Sequence, residues 1–365
     1  MHDAAPNLSP APSPSPRTRS VLSFFRRGIA ATALALAAAG CADDGREPLV
    51  LYSPHGRDLL GLFESTFEAQ NPDIDVRWLD MGSQEVYDRV RSEAVNPQAD
   101  VWFGGPATIL ARGVAENLLE AYVPPWAEAV APSGRHPDGM FHSLYRTPPI
   151  LVFNEDAVAA DEAPTDWADL LDPEWTDKVL IRDPLASGTM RTIFGMVLAR
   201  SVASYGDAEA GFAWLSALDG QTKEYAHNPA LLHLKIERQE GLVTCWELTD
   251  ILFQRKRGAP LGYRFPTSGS PVIEDSVGLV RGAPHREAAI RFIDWVGSRE
   301  AQQLAAEQVF RLPARTDIPA EDLPEWAREA LDQLITAEVD WALIEEKGAE
   351  WMQRWDREVR GRGGE

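Results

Sequence analysis

Leu49-Val50-Leu51-Tyr52-Ser53-Pro54-His55-Gly56, followed by Leu59, Phe63 and Phe67 at four-residue spacing, is the stretch that decides the fold. A short apolar run reads as a strand, and apolar positions recurring every four residues read as one helix face. A strand therefore feeds a helix through a polar turn. That helix is predicted to stop at Asn71-Pro72, because proline lacks the N–H a further turn needs and pushes the residue before it out of the helical region. Ile74 to Trp78 then reads as a second strand. Ser83 can cap a helix carrying Val86, Val90 and Ala94, and Val101-Trp102-Phe103 is a third strand with Pro106 placed to begin another helix. Alternation of this kind predicts an α/β fold with a parallel sheet covered by helices on both faces.

The pattern restarts after Pro148-Pro149. Strands are predicted over Ile150 to Phe153 and Val179 to Arg182, with helices over Gly188 to Tyr205 and Asp207 to Leu218. Leu242 to Trp246, Leu261 to Phe265 and Val277 to Val280 read as further strands, and the remainder is helical. Trp341, Trp351 and Trp355 share an amphipathic helix, whose spacing favours packing over a core. The chain's 365 residues, 44% hydrophobic and 25% charged, suffice for two such units.

A formal charge of -21 repels phosphate backbones and anionic headgroups, which excludes nucleic-acid binding without a strong basic patch. Arg255-Lys256-Arg257 is too short to be one and reads as a solvated helix end. The two cysteines, Cys41 and Cys245, make neither a disulfide framework nor a metal ligand set.

Residues 1–40 read as a signal peptide: a Pro/Ser-rich start, Arg26-Arg27, then an apolar Ala-rich run from Gly28 to Ala39. Ala38-Ala39-Gly40-Cys41 resembles a lipobox, which would make Cys41 the lipidated N-terminus. Residues 41–48 are polar, as a tether would be. The mature protein is thus expected in the periplasm or cell envelope, anchored to a membrane.

In open α/β sheets ligands bind beyond the carboxyl ends of strands, where loops enter helix N-termini. Three loops fit: Ser53 to Gly56, Met81-Gly82-Ser83, and Asp183 to Thr189, which leads into a helix bearing Arg191. The third suits an anion, since a helix start offers unpaired N–H groups, Ser187 and Thr189 add hydroxyls, and Gly188 allows close approach. Ser187 or Thr189 serving only as a helix cap is the competing explanation. Asn228 before Pro229, and Glu247 after a strand, hold equivalent positions and are either caps or ligand contacts. No H-E-x-x-H, G-x-S-x-G, P-loop or dinucleotide fingerprint is present. Cys245 is the sole candidate nucleophile, and an interior strand cysteine is ordinarily an inert hydrophobe. No enzyme activity, cofactor or metal is expected.

Leu51-Tyr-Ser-Pro-His-Gly-Arg57, Ala99-Asp-Val-Trp-Phe103, Leu185-Ala-Ser-Gly-Thr189, Lys223-Glu-Tyr-Ala-His-Asn228 and Gly278-Leu-Val-Arg-Gly-Ala-Pro-His285, in this order, resemble the ferric-iron-binding-like solute-binding proteins of bacterial ABC importers. The resemblance implies the type 2 periplasmic-binding fold, two α/β lobes on a two-strand hinge. It places residues 49–149 plus 272–305 in the N-terminal lobe and 150–271 plus 306–365 in the C-terminal lobe, with crossings near Pro148 to Leu151 and Ser270 to Ile273. It also implies a monomer that closes on its solute and docks on an ABC permease of the inner membrane.

In ferric members adjacent tyrosines, a histidine and an acidic residue hold the metal, while an anion rests on the Ser-Gly helix start and an asparagine. His55, Ser187, Gly188, Thr189 and Asn228 resemble these positions, but Glu247-Leu248 stands where the tyrosines would be and Gly104-Gly105 where the acid would be. Hard oxygen ligands that Fe³⁺ demands are missing. The expected ligand is therefore a small anionic organic solute, a sugar phosphate, phosphonate or similar. Ser53, His55 and Ser83 would face Ser187, Gly188, Thr189, Asn228 and Glu247 across the cleft, with His227 beside Asn228. The alternatives are a receptor for ferric iron or an iron chelate, and a secreted enzyme on the same fold using Cys245.

Overall fold

The chain begins its regular structure with β1 (Glu47–Ser53), α1 (Gly56–Gln70), β2 (Ile74–Asp80), α2 (Ser83–Ser92), β3 (Val101–Pro106) and α3 (Ala107–Ala115). The computed structural model describes residues 45–363, so the signal-peptide segment 1–40, Cys41 and the first part of the tether lie outside the described residues. The chain from Glu47 onward forms one compact unit. α1 buries Leu59, Leu60, Phe63 and Phe67 along one face, and its C-cap is Asn71, held at φ -133° ahead of the proline. β1 pairs in parallel with β2 along its whole length, from Glu47 opposite Ile74 to Ser53 opposite Asp80.

β4 (Leu119–Glu120) and β5 (His142–Thr147) follow, and Pro148 alone separates β5 from β6 (Pro149–Asn154). Next come β7 (Val179–Arg182), α4 (Gly188–Tyr205), α5 (Glu209–Gln221), β8 (Thr222–Ala226), α6 (Pro229–Glu237), β9 (Val243–Glu247), α7 (Leu248–Lys256) and β10 (Leu261–Arg264). The chain returns through β11 (Ile273–Val280), α8 (Arg286–Val296), α9 (Arg299–Val309) and β12 (Leu312–Pro313), and ends in α10 (Glu325–Gln333) and α11 (Trp341–Glu358).

Two sheets result. The first runs β12-β5-β11-β3-β1-β2, with β4 also on β11, and the second runs β10-β6-β9-β7-β8. Each has its own core: Phe63, Phe67, Phe103 and Phe292 meet in the first lobe, and Phe194 packs edge-on against Trp355 of α11 in the second. Both sheets are mixed, which corrects the expectation of parallel pairing. β11 is antiparallel to β3, β4 and β5, and β6 is antiparallel to β9 and β10. β6 and β11 each enter their sheet from the other lobe rather than through a strand-helix-strand crossover within one sheet, so the crossover that sets the other strands parallel does not set theirs.

The chain passes between the lobes at Pro148 and again between β10 and β11. A third passage, after β12, corrects the placing of everything beyond residue 305 in the second lobe. Val309 and Ala314 sit in the first core and β12 pairs with β5, whereas Ala330, Ala337 and Ile344 sit in the second. The apolar face of α9 already belongs to the first lobe, so its last turn and the edge strand after it stay there.

Candidate functional site

A cavity of about 550 Å³ lies between the lobes, at the carboxyl ends of β1, β2, β7 and β9. α4 supplies one wall. Its N-cap Ser187 is extended at φ -111°, and its Oγ accepts the Met190 N–H at 3.2 Å, leaving the hydroxyl proton free to donate into the cavity. The cap explanation and the anion-donor explanation for Ser187 are therefore compatible. Gly188 faces the other lobe closely: a Cβ there would stand 3.1 Å from the Pro106 ring and 3.3 Å from Ser83 Oγ. Thr189 donates its hydroxyl to Glu247 Oε2 at 3.2 Å.

Asn228 caps α6 through Oδ1, which accepts the Leu231 N–H at 2.8 Å, and both Asn228 and His227 line the cavity. Ser83 also lines it but is the first residue of α2 rather than its cap. Gly82 is the N-cap, and Glu85 Oε2 accepts the Gly82 N–H at 2.8 Å. Pro106 likewise precedes α3 as its N-cap.

His55 lines the cavity while packed against the edges of Phe103 and Tyr145, at 4.8 and 5.5 Å between ring centres. Burial, helped by Arg311, holds its imidazole pKa well below the usual range, so the ring is neutral at physiological pH. Gly104, at φ +104°, is needed for this: a Cβ would stand 2.3 Å from His55 Nε2. Ser53 is the expected site residue that does not reach the cavity. It is fully buried, and its Oγ accepts the His55 N–H at 3.2 Å, so it shapes the loop beneath the site.

Six further charged residues line the cavity: Arg182, Arg311, Asp80, Glu85, Asp250 and Asp275. Arg182 and Arg311 are 7% and 4% exposed, and each leaves Nε without a partner. Arg182 donates from one terminal nitrogen to the Ala226 carbonyl at 3.2 Å, and Arg311 donates to the His55 carbonyl at 3.1 Å. Asp275 accepts from Gly105 N–H at 3.2 Å and from the Thr147 hydroxyl. Desolvation, then the charge of Asp250, pushes the Glu247 carboxyl up to about 8. Desolvation likewise raises Asp275 and Asp80.

Cys245 is 1% exposed within β9, is not part of the cavity lining, and burial pushes its thiol up to about 12. Such a thiol supplies no thiolate at neutral pH. Among the described residues no group of three or more His, Cys, Asp or Glu side chains is arranged to hold a metal ion.

Residues 96–334 match the family described as bacterial extracellular solute-binding protein. A protein of Sinorhizobium fredii named "Probable ABC transporter periplasmic-binding protein y4fP" is 26% identical over 330 residues, covering 86% of this chain and 87% of that one. A periplasmic protein of Salmonella typhimurium, provisionally named for binding 2-aminoethylphosphonate, is 26% identical over 292 residues, covering 78% and 83%. The periplasmic binding protein AfuA of Actinobacillus pleuropneumoniae, solved with fructose-6-phosphate bound, shares the fold at a TM-score of 0.75 and 23% identity, covering 86% of this chain and 99% of that one.

Proposed function

Because the chain belongs to the bacterial extracellular solute-binding protein family, we propose that it is the receptor of an ABC importer for a small organic anion bearing phosphate, phosphonate or carboxylate. The observation that carries this is the cavity wall where α4 begins. Ser187 and Gly188 sit at the positive end of a helix, and the lining includes two buried guanidinia, Arg182 and Arg311, each with an unpartnered N–H. Buried unpaired donors are costly, and charge-assisted hydrogen bonds donated by these guanidinia to an anion would offset that cost. Hinge closure of the two lobes encloses the solute, and the closed form docks on a membrane permease.

The names of relatives agree with this chemistry, one with a phosphonate and another, of the same fold, with a sugar phosphate. Export with lipidation at Cys41 belongs to the same proposal, and mass spectrometry of the processed N-terminus tests it. The protein is a carrier that releases its solute unchanged and works as a monomer. Isothermal titration with a sugar phosphate, an alkylphosphonate, a carboxylate and ferric citrate tests the ligand class. We expect a phosphate or phosphonate compound to bind, and binding of ferric citrate alone would overturn the proposal.

A further inference from the structure

We propose that Gln84 of the first lobe and Arg191 of the second form a latch, mounted on the loop that begins α4, which favours the closed cleft. The inference rests on the receptor reading above and names a contact by which that receptor closes.

Arg191 donates from each of its guanidinium nitrogens. Nε donates to the Pro184 carbonyl at 3.0 Å and Nη2 to the Leu185 carbonyl at 2.7 Å, which splints from behind the loop whose Ala186, Ser187 and Gly188 line the cavity. Nη1 reaches out of the lobe and donates to Gln84 Oε1, in the first turn of α2, at 3.1 Å. A planar fork already held at two points loses little freedom in making that third bond. Neither Gln84 nor Arg191 lines the cavity, so the latch acts on closure without touching the solute.

The same Gln84 oxygen accepts from Arg112 Nη1 of α3 at 3.4 Å, while Gln84 Nε2 donates to Asp88 Oδ1 at 3.0 Å. Arg112 lies over the Tyr87 ring, 4.4 Å from its centre, and so stays with the first lobe. Closing the cleft therefore brings two like charges onto one neutral acceptor. Desolvation, then the charge of Arg112, works against the charged form of Arg191. Gln84 offsets that repulsion, and without its oxygen the two guanidinia push the lobes apart. A second cross-lobe pair, Asp58 with Arg257 at 2.9 Å, has both side chains more than half exposed and contributes little.

Nitroxide labels at Asp58→Cys and Arg257→Cys, in a Cys41→Ser background, occupy that second pair and broaden each other's spectra when the lobes meet; Cys245 is buried and stays unlabelled. Electron paramagnetic resonance then reads the closed fraction with no solute added. The parent is expected to hold a measurable closed fraction. Gln84→Ala is expected to lower its closed-to-open ratio about fivefold, the worth of one hydrogen bond, and to recover part of it at high salt, where the guanidinium repulsion is screened. Gln84→Glu gives both guanidinia a carboxylate, so closure is expected to return at low salt and to weaken as salt rises, the opposite sign. A closed fraction unchanged by Gln84→Ala, no closed fraction in the parent, or failure of Gln84→Glu to restore it would overturn the latch. Because the readout needs no solute, any of these leaves the anion reading standing, and the titrations that test that reading leave the latch untouched.

Discussion

Thr189 and Glu247 meet at 3.2 Å, hydroxyl to carboxylate, joining the first turn of α4 to the end of β9. The hydroxyl proton spent there is unavailable to a solute, so the anion-binding capacity of the α4 start falls to Ser187, the Gly188 amide and the neighbouring Arg182. Ser187→Ala removes both a helix cap and the free hydroxyl donor. We expect a loss of about 1 kcal/mol in stability by urea denaturation and a drop of about tenfold in phosphonate affinity. Unchanged affinity would reduce Ser187 to a cap.

Gly188→Ala probes closure separately from chemistry. The added methyl would press on Pro106 and Ser83 across the cleft, an overlap relieved by holding the lobes apart. Small-angle scattering with ligand present should show a less compact particle than the parent, with solute affinity reduced and thermal stability nearly kept.

Glu247 gives the unliganded protein a pH dependence of definite sign. Its folded pKa of about 8 exceeds the ordinary glutamate value, so the folded state holds a proton that the unfolded chain has released. Stability from this group is present below the unfolded value and is lost as pH rises toward 8. The groups acting on it are Thr189, Asp250, Asp275 and Arg311, and Asp275 and Asp80 shift in the same direction. The melting temperature should fall as pH rises from the ordinary glutamate range, about 4.5, to about 8, and Glu247→Gln should flatten the fall in part. An equal slope in the variant would place the linkage elsewhere.

Arg311→Met leaves Asp275 and Glu247 without the cation that lowers both. Breaking a buried charge set from one side costs about 3 kcal/mol, which denaturant titration would register. Part of that loss should be recovered at low pH, where both carboxyls are protonated.

Cys245 should resist thiol reagents in the native protein at neutral pH and react once denatured, since burial both shields it and raises its thiol. Rapid native labelling would reopen the case for a nucleophile.

Much of the architecture was legible because it is periodic: the helix expected over Gly188 to Tyr205 has those bounds, and α1 carries its apolar face as spaced. β5 and β8 were not read. His-Ser-Leu-Tyr-Arg-Thr and Thr-Lys-Glu-Tyr-Ala lack clean alternation, and β5 is buried by its neighbours rather than by its own pattern. Of the cavity residues, His55, Ser83, Ser187, Gly188, Thr189, Asn228 and Glu247 were visible as polar positions at strand ends or helix starts. Asp275 and Arg311 were not, because they arrive from an interlobe strand and from a residue after a helix whose C-cap, Phe310, is left-handed at φ 51°. Nothing local distinguishes such residues from ordinary surface charge. Ser53 failed for the converse reason: a polar residue at a strand end can turn inward to hold its own loop.

The third passage of chain, from β12 into α10, bears on how the clamshell moves. Two ribbons side by side allow a door to swing and also to twist, but a third stitched to both, β12 to β5 and Thr336 to Ser270, stiffens the twist and leaves a single soft angle. Empty and loaded molecules would then differ along one coordinate, so one pair of fluorophores placed across the mouth would suffice to read occupancy.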